Sequence, residues 1–293
     1  MYHFKIDSHI LNQWQRYAKV NLAALCQSRP AESHKGTFGT LGILGGQQGM
    51  SGAIILAGSA ALKSGCGKVW LGFNESDLPL AVIPHQPELM LATATNLLER
   101  EDISAWVIGC GLGTQTVAQQ LLIHCLHITG HPVLLDADAL NLLAQQSCLL
   151  NDRIPKDCLI LTPHPGEAAR LLQCSIKEVQ NNRHQAVSRL AERYRAWVVL
   201  KGHHSLIASP SGKIRQNQSG NAGLATAGSG DVLSGIIGSL LAQRMPPEQA
   251  IAGGVWLHGV AAELLAANGI GPIGLCASEI GNAVRWLRNR LTE

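Results

Sequence analysis

The sequence is short of charge: only 15% of its 293 residues are Asp, Glu, Lys or Arg, and no run of five or more like charges occurs. The formal net charge of +3 is spread thinly, so nucleic acid is not an expected partner. No two of the eight cysteines stand at CxxC spacing, and most lie in apolar segments. That argues against a zinc or disulfide framework and predicts reduced core thiols in a cytoplasmic protein. The opening residues, MYHFKIDSHI, carry Lys5 and Asp7 and lack the apolar stretch of a secretory signal. The longest charge-free stretch, Ile103 to Leu135, is interrupted by Gly, Gln, His and Pro, so no membrane span is expected. A GxxxxGK[ST] sequence is also missing, which excludes a Walker-type phosphate loop.

Hydrophobic residues make up 46% of the chain, with 31 glycines and 12 prolines, the composition of a globular protein rich in tight turns. At about 100 to 200 residues per domain, the length allows one large domain or two small ones. No repeat, low-complexity tract or polar linker divides the chain, so a single domain over 1–293 is expected. Residues 10 to 27 have roughly helical spacing and end at Ser28-Arg29-Pro30, which predicts a leading helix within the first 30 residues.

After it, short apolar runs alternate with helical patterns. The runs are Leu41–Gly46, Lys68–Phe73, Ala105–Gly109, Pro132–Asp136, Cys158–Thr162 and Trp197–Lys201. The expected helices are Gly52–Ser64, Gln115–Thr129, Ala139–Gln146 and Ile176–Arg195, then Asp231–Gln243, Pro247–Ala267 and Ala277–Arg290. Strand–helix alternation of this kind predicts an α/β fold with a mostly parallel sheet and helices on both faces. Continuously apolar strands such as WVIG and VLLD fit a sheet covered on both sides.

In such a sheet, ligands bind beyond the carboxyl ends of the strands. Glycines and polar residues follow the expected strands here: Gly45-Gly46, the GCGLG of Gly109–Gly113, Asp136 and Asp138, Thr162–Glu167, and Lys201-Gly202. The segment NAGLATAGSGD, Asn221–Asp231, leads into an apolar helix. Small residues permit close backbone approach, and a helix start offers unpaired N–H groups and a partial positive charge. These features predict a phosphate site. Asp231 is the candidate general base, with helix-start stabilisation as its bland alternative.

With the blocks HKGTFG (His34–Gly39) and GGQQGMSGA (Gly45–Ala53), the pattern resembles the ribokinase-like NAD(P)H-hydrate dehydratases, which repair hydrated nicotinamide cofactors. The blocks GCGLG, LDADALN, TPHPGE, LKG and GSGDVLSG follow in the family's order. The resemblance runs from about Arg29 to the C-terminus, some 90% of the chain. Within the glycine-rich block, Ala222 stands where Pro is common and Ala227 where Gly is common. Alanine cannot take positive φ as cheaply as glycine, so loop geometry and nucleotide affinity are the properties at stake there.

The resemblance implies that Ala53, Gly113, His164 and Asp231 contact the hydrated dinucleotide. It also implies that Lys201, Gly202, His203, His204, Ser205 and Gly230 hold the adenine nucleotide, with Asp231 as catalytic base. The implied reaction phosphorylates the hydroxyl of the S-epimer of NADHX or NADPHX and eliminates phosphate, releasing NADH or NADPH, with AMP when ADP is the donor. ADP is the expected donor and ATP the alternative. Mg²⁺ is expected as cofactor, with Glu167 organising it through water or serving as a helix-start acid. A separate epimerase is the implied pathway partner, and a homo-oligomer, a tetramer favoured, the implied assembly.

His124, His127 and His131 read as solvated surface rather than a metal cluster, because Pro132 ends the helix. Asp138 reads as a cap of the following helix, and Asp136 and Asp138 stay outside the expected site. The tryptophans form no stripe for stacking bases. The small residues Ala252, Gly253, Gly254, Gly259 and Ala261 read as helix-packing positions. Competing functions are a vitamin-alcohol kinase on the same fold and a non-catalytic nucleotide binder. A Rossmann oxidoreductase is disfavoured because Thr114 takes the place of the last glycine of GxGxxG.

Overall fold

A computed structural model describes residues 4–128, 130–146 and 157–293. Thr129, at the end of an expected helix, and Cys148, an expected core thiol, lie outside the described residues, as do Met1 to His3. The strands are β1 (Thr40–Gly45), β2 (Lys68–Phe73), β3 (Met90–Thr93), β4 (Ala105–Ile108), β5 (Val133–Leu135), β6 (Leu159–Leu161), β7 (Trp197–Leu200), β8 (Leu206–Ala208) and β9 (Ile214–Gln216). They form a sheet in the order β3-β2-β1-β4-β5-β6-β7-β8-β9. Neighbours from β3 to β7 pair in parallel, whereas β7–β8 and β8–β9 are antiparallel.

The helices are α1 (Ser8–Asn21), α2 (Ser51–Lys63), α3 (Ala94–Leu98), α4 (Thr116–Ile128), α5 (Ala137–Gln145), α6 (Pro165–Leu172), α7 (Ile176–Asn181), α8 (Arg183–Tyr194), α9 (Ser229–Ala242), α10 (Pro247–Ala267) and α11 (Ala277–Arg290). They cover both faces because successive strand residues point to opposite sides. Ile43, Val107, Leu134, Ile160 and Val199 join α2, α9, α10 and α11 in one core. Leu44, Ile108, Leu135, Leu161 and Leu200 join α3 to α6 and α8 in the other. Each fully buried Leu, Ile or Val contributes about 1.5–3 kcal/mol, so this alternation fixes the strand register.

Close helix packing rests on glycine. A Cβ at Gly254 would meet Ile237 Cγ1 at 2.6 Å, and one at Gly253 would meet Leu25 Cδ1 at 3.0 Å. α10 is long and apolar enough to cross a membrane, yet 83% of its apolar window is buried within the protein.

Several elements depart from expectation. The leading helix ends at Asn21 rather than residue 27, because Leu22 leaves helical geometry at φ −140° and a 3₁₀ turn, Ala23–Cys26, follows. The expected helix Ile176–Arg195 is two helices, broken at Asn182, whose side chain accepts from Gln185 N and caps α8. α6 starts on a capping box in which His164 Nδ1 accepts from Gly166 N and Glu167 Oε2 accepts from His164 N.

Candidate active site

The carboxyl ends of the parallel strands carry a cavity of about 750 Å³. His164, Lys201, Gly202, His203, His204, Ser205 and Gly230 all line it. One wall is the start of α9, where Gly228 takes the left-handed conformation (φ 82°) and no side chain caps the helix. The positive end of the helix dipole, with the N–H of Gly230 among its first-turn groups, therefore faces the cavity. Ala227 is spared positive φ, because the left-handed position falls one residue later, on Gly228.

Lys201 follows β7 and is positioned by its backbone N–H, which donates to Pro163 O at 2.8 Å. Its Nζ lies 2.6 Å from Asp136 Oδ1 and 3.9 Å from Glu167 Oε2. A Cβ on Gly230 would lie only 3.3 Å from Nζ, so a small residue there lets the ammonium rest against the α9 start. Ser234 Oγ, one turn along α9, donates to Asp136 Oδ2 at 2.7 Å. Asp136 is 1% exposed, and Ala137 beside it is held at φ 46°, a strain of about 1–3 kcal/mol for a non-glycine residue.

Asp231 stands at the edge of this cluster. Burial pushes its carboxyl up to about 6, reinforced by Asp136, while a hydrogen bond with Cys110 and the charge of Lys201 oppose the shift. Burial likewise pushes Glu167 up to about 7 against the pull of Lys201. For Lys201, burial works to lower the pKa, and Asp136 and Glu167 outweigh it, so the ammonium is held above its ordinary range. Burial pushes His258 down to about 4, and its Nε2 lies 3.2 Å from Ser229 Oγ. His164 is also lowered, by burial first and then by Lys201.

Ala53 and Gly113 lie apart from the cavity lining, around Gly111. A Cβ on Gly111 would meet Met50 Cβ at 2.7 Å and Ala53 Cβ at 3.3 Å. Gly113 (φ 82°) donates its N–H to Asp138 Oδ2 at 2.8 Å. This corrects the capping expectation for Asp138: Asp136 occupies the cap position of α5, and Asp138 in the first turn binds the GCGLG loop instead. Asp138 is also close enough to Asp231 to raise its pKa. Asp231 thus links two groups of residues: it follows Gly230 of the cavity wall and feels the charge of Asp138, which holds the Gly113 loop.

Sequence reasoning left out Asp136, Asp138, Ser234 and His258. The two aspartates did carry a signal, since both follow β5 at the expected ligand edge. Ser234 lies three residues after Asp231, a helical spacing that puts both on one face. His258, inside an apolar helix, offered none.

The fold and this site define an α/β protein of the ribokinase-like class, with a helix start and a half-buried lysine facing the cavity. The family model for NAD(P)H-hydrate dehydratase matches residues 41–284, and the chain belongs to that family. It is 55% identical to the ADP-dependent (S)-NAD(P)H-hydrate dehydratase of Neisseria meningitidis, over 91% of this chain and 90% of that protein. It is 39% identical to the bifunctional NAD(P)H-hydrate repair enzyme of Escherichia coli, covering 97% of this chain and 55% of that enzyme, so it spans about half the length of such relatives. The crystal structure of the ADP/ATP-dependent NAD(P)H-hydrate dehydratase of Bacillus subtilis, co-crystallised with ATP and Mg²⁺, superimposes with a TM-score of 0.84 at 34% identity, over 94% of this chain and 98% of that one.

Proposed function

We propose that this protein is an ADP-dependent (S)-NAD(P)H-hydrate dehydratase, acting as one ribokinase-like unit over 1–293. The observation that carries the reading is the placement of Asp231 beside Lys201 and the uncapped start of α9. Asp231 takes the proton from the C6 hydroxyl of the hydrated ring, and the freed oxygen attacks the terminal phosphoryl group of ADP. Lys201 and the N–H groups of Gly228, Gly230 and Asp231 stabilise the charge on that group. Phosphate then leaves C6 as the ring nitrogen donates its electron pair, and loss of a C5 proton restores the double bond. The products are the reduced cofactor, AMP and phosphate.

Lys201, Gly202, His203, His204, Ser205 and Gly230 hold the adenine nucleotide, and His164, which lines the same cavity, contacts the hydrated dinucleotide with Asp231. Ala53 and Gly113 admit the hydrated dinucleotide.

Among the described residues no group of three metal-ligating side chains occurs. Mg²⁺ in phosphoryl-transfer sites takes one or two carboxylates and completes its shell with water and phosphate oxygens. Asp136, Glu167 and Asp231 outnumber Lys201 in negative charge, which suits a divalent ion. Glu167 would hold it through water, and it would supply neutralisation of the nucleotide's phosphates. The reading extends to a cytoplasmic homo-oligomer, a tetramer favoured, working with a separate NAD(P)H-hydrate epimerase.

The test is the rise in reduced-nicotinamide absorbance when the protein meets NADHX and Mg²⁺ with ADP, ATP or no nucleotide. A nucleotide-dependent rise that disappears in Asp231→Asn supports the reading. Folded protein giving no rise with any nucleotide overturns it and favours a kinase of vitamin alcohols, which would release a stable phosphorylated product.

A further inference from the structure

The sheet order reverses direction at β1. The chain runs outward through β2 and β3, then crosses to β4 on the other side of β1. The loops leaving β1 and β4 therefore meet at the switch point, where open α/β sheets bind ligands. Here the two loops stay paired beyond the strands: Gly46 N donates to Cys110 O at 3.0 Å and Gln47 N to Gly111 O at 2.7 Å. Asn74 Nδ2 holds the second loop by donating to Leu112 O at 2.8 Å.

Two side-chain carboxamides converge on this point. Gln47 Oε1 and Gln115 Oε1 both lie against the position that a Cβ on Gly113 would occupy, with Gln47 Cδ at 2.7 Å from it. Gln47 is half-buried and Gln115 exposed. Neither carboxamide has a hydrogen-bond partner among the described residues, although both offer two donors and an acceptor. Both carboxamides are open to solvent and committed to no protein group, so the pair beside the glycine loop is free to bind a ligand with matching groups.

We infer that Gln47, with Gln115 beside it, recognises the carboxamide of the hydrated nicotinamide ring. The inference rests on the dehydratase reading. The ring carries its hydroxyl at C6 and its carboxamide at C3, on opposite sides of a six-membered ring. If the hydroxyl meets Asp231, the carboxamide must lie about one ring's breadth away. Gly113 is tied to Asp138, whose charge acts on Asp231, and neither glutamine lines the nucleotide cavity, which suits a group of the substrate held apart from the nucleotide. A primary amide facing a primary amide can exchange two hydrogen bonds, donor to acceptor in both directions. A carboxylate in its place has no donor for the glutamine oxygens and can only accept from their NH₂ groups, so one of the two exchanged hydrogen bonds is lost.

The experiment compares NADHX with the hydrate of reduced nicotinic acid adenine dinucleotide, in which a carboxylate replaces the carboxamide. Steady-state kinetics with ADP and Mg²⁺ are run on the unaltered protein, Gln47→Ala, Gln47→Leu and Gln115→Ala, each checked for an unchanged melting temperature. The unaltered protein is expected to favour the amide by about tenfold or more in kcat/KM, the scale of a lost polar contact. Gln47→Ala and Gln47→Leu should raise KM for NADHX about tenfold and shrink the preference to about threefold or less, with KM for ADP held within about twofold. Folded variants that keep the original KM and preference overturn the assignment while leaving the dehydratase intact. Absence of NADHX turnover by the unaltered protein overturns the dehydratase reading, and this assignment with it.

Discussion

Lys201 Nζ and Asp136 Oδ1 lie 2.6 Å apart, an ion pair that ties the end of β7 to the end of β5 across the intervening β6. The other oxygen of Asp136 takes the hydroxyl of Ser234 in α9 at 2.7 Å. One carboxylate therefore sets the lysine against the helix start whose N–H groups face the cavity. The arrangement matters more for placement than for net stability, because desolvating both charges offsets much of their attraction.

Asp136→Asn tests that placement. It retains the shape and a partner for Ser234 but leaves the Lys201 ammonium with Glu167, at 3.9 Å, as its remaining ion-pair partner. Removing one member of a buried pair costs about 3–5 kcal/mol, and Glu167 should hold the loss to the lower end. The expected outcome in urea titration is a lower midpoint with unchanged slope. In kinetics, KM for ADP should rise about tenfold, equivalent to about 1.4 kcal/mol, with a smaller change in KM for NADHX.

The pH profile follows from Asp231. A general base must be deprotonated to act, and burial places this carboxyl at about 6. Activity as kcat/KM should rise with pH through an apparent pKa near 6 and level off above it. Glu167, at about 7, sits in the same charge cluster, so the limb belongs to the coupled group and is expected to be broader than a single titration. A flat profile from pH 5 to 8, read from initial rates, would count against Asp231 as the base.

Six strands, β1, β2 and β4 to β7, were legible because each is a short apolar run ending in turn residues; β2 spans the expected Lys68–Phe73, whereas β3, Met90–Thr93, was not expected. β8 and β9 pair antiparallel at the sheet edge, and their LIA and IRQ lie among polar residues rather than in a longer apolar run of the kind that marked β5 and β6. α6 carried its start signal in His164-Pro165-Gly166-Glu167, a capping box with proline at the first helical position. The segment was read for its chemistry instead. At the site, the glycine loops were legible because backbone approach leaves a local mark in sequence. The contacts that organise Lys201 span 65 and 98 residues, and no local pattern encodes a partner at that separation.

The two alanine departures in NAGLATAGSGD were expected to matter through positive φ, and Gly228 shows where that requirement lies. It holds φ 82°, and a Cβ there would run into Leu56 Cδ1 and approach Ala277 Cβ at 3.3 Å. Gly228→Ala should destabilise the protein by about 1–3 kcal/mol through backbone strain and weaken ADP binding by displacing the start of α9. Ala227→Gly should leave nucleotide affinity within about twofold, at a stability cost of about 0.5–1 kcal/mol at most from added chain freedom. Calorimetric titration with ADP and thermal melting of both variants separate the two positions.

Asp231 also makes a prediction about stability that is independent of turnover. Its folded pKa of about 6 lies above the ordinary value of 3.8, so the folded state binds its proton more tightly than the unfolded chain does. Such a group costs nothing below the ordinary value and progressively opposes folding as pH rises through the folded one. A shift of about two units corresponds to at most about 3 kcal/mol, and residual exposure and coupling to Asp136 reduce that. Asp231→Asn should therefore melt higher than the unaltered protein at pH 8, by about 2–4 °C for a chain of this size. The gain should shrink as pH falls from 6 toward 4, while kcat drops by about 10²–10⁴ throughout the active range. A variant equally stable or less stable at pH 8 would show that the carboxylate is not held under electrostatic strain, and that its neighbours stabilise it instead.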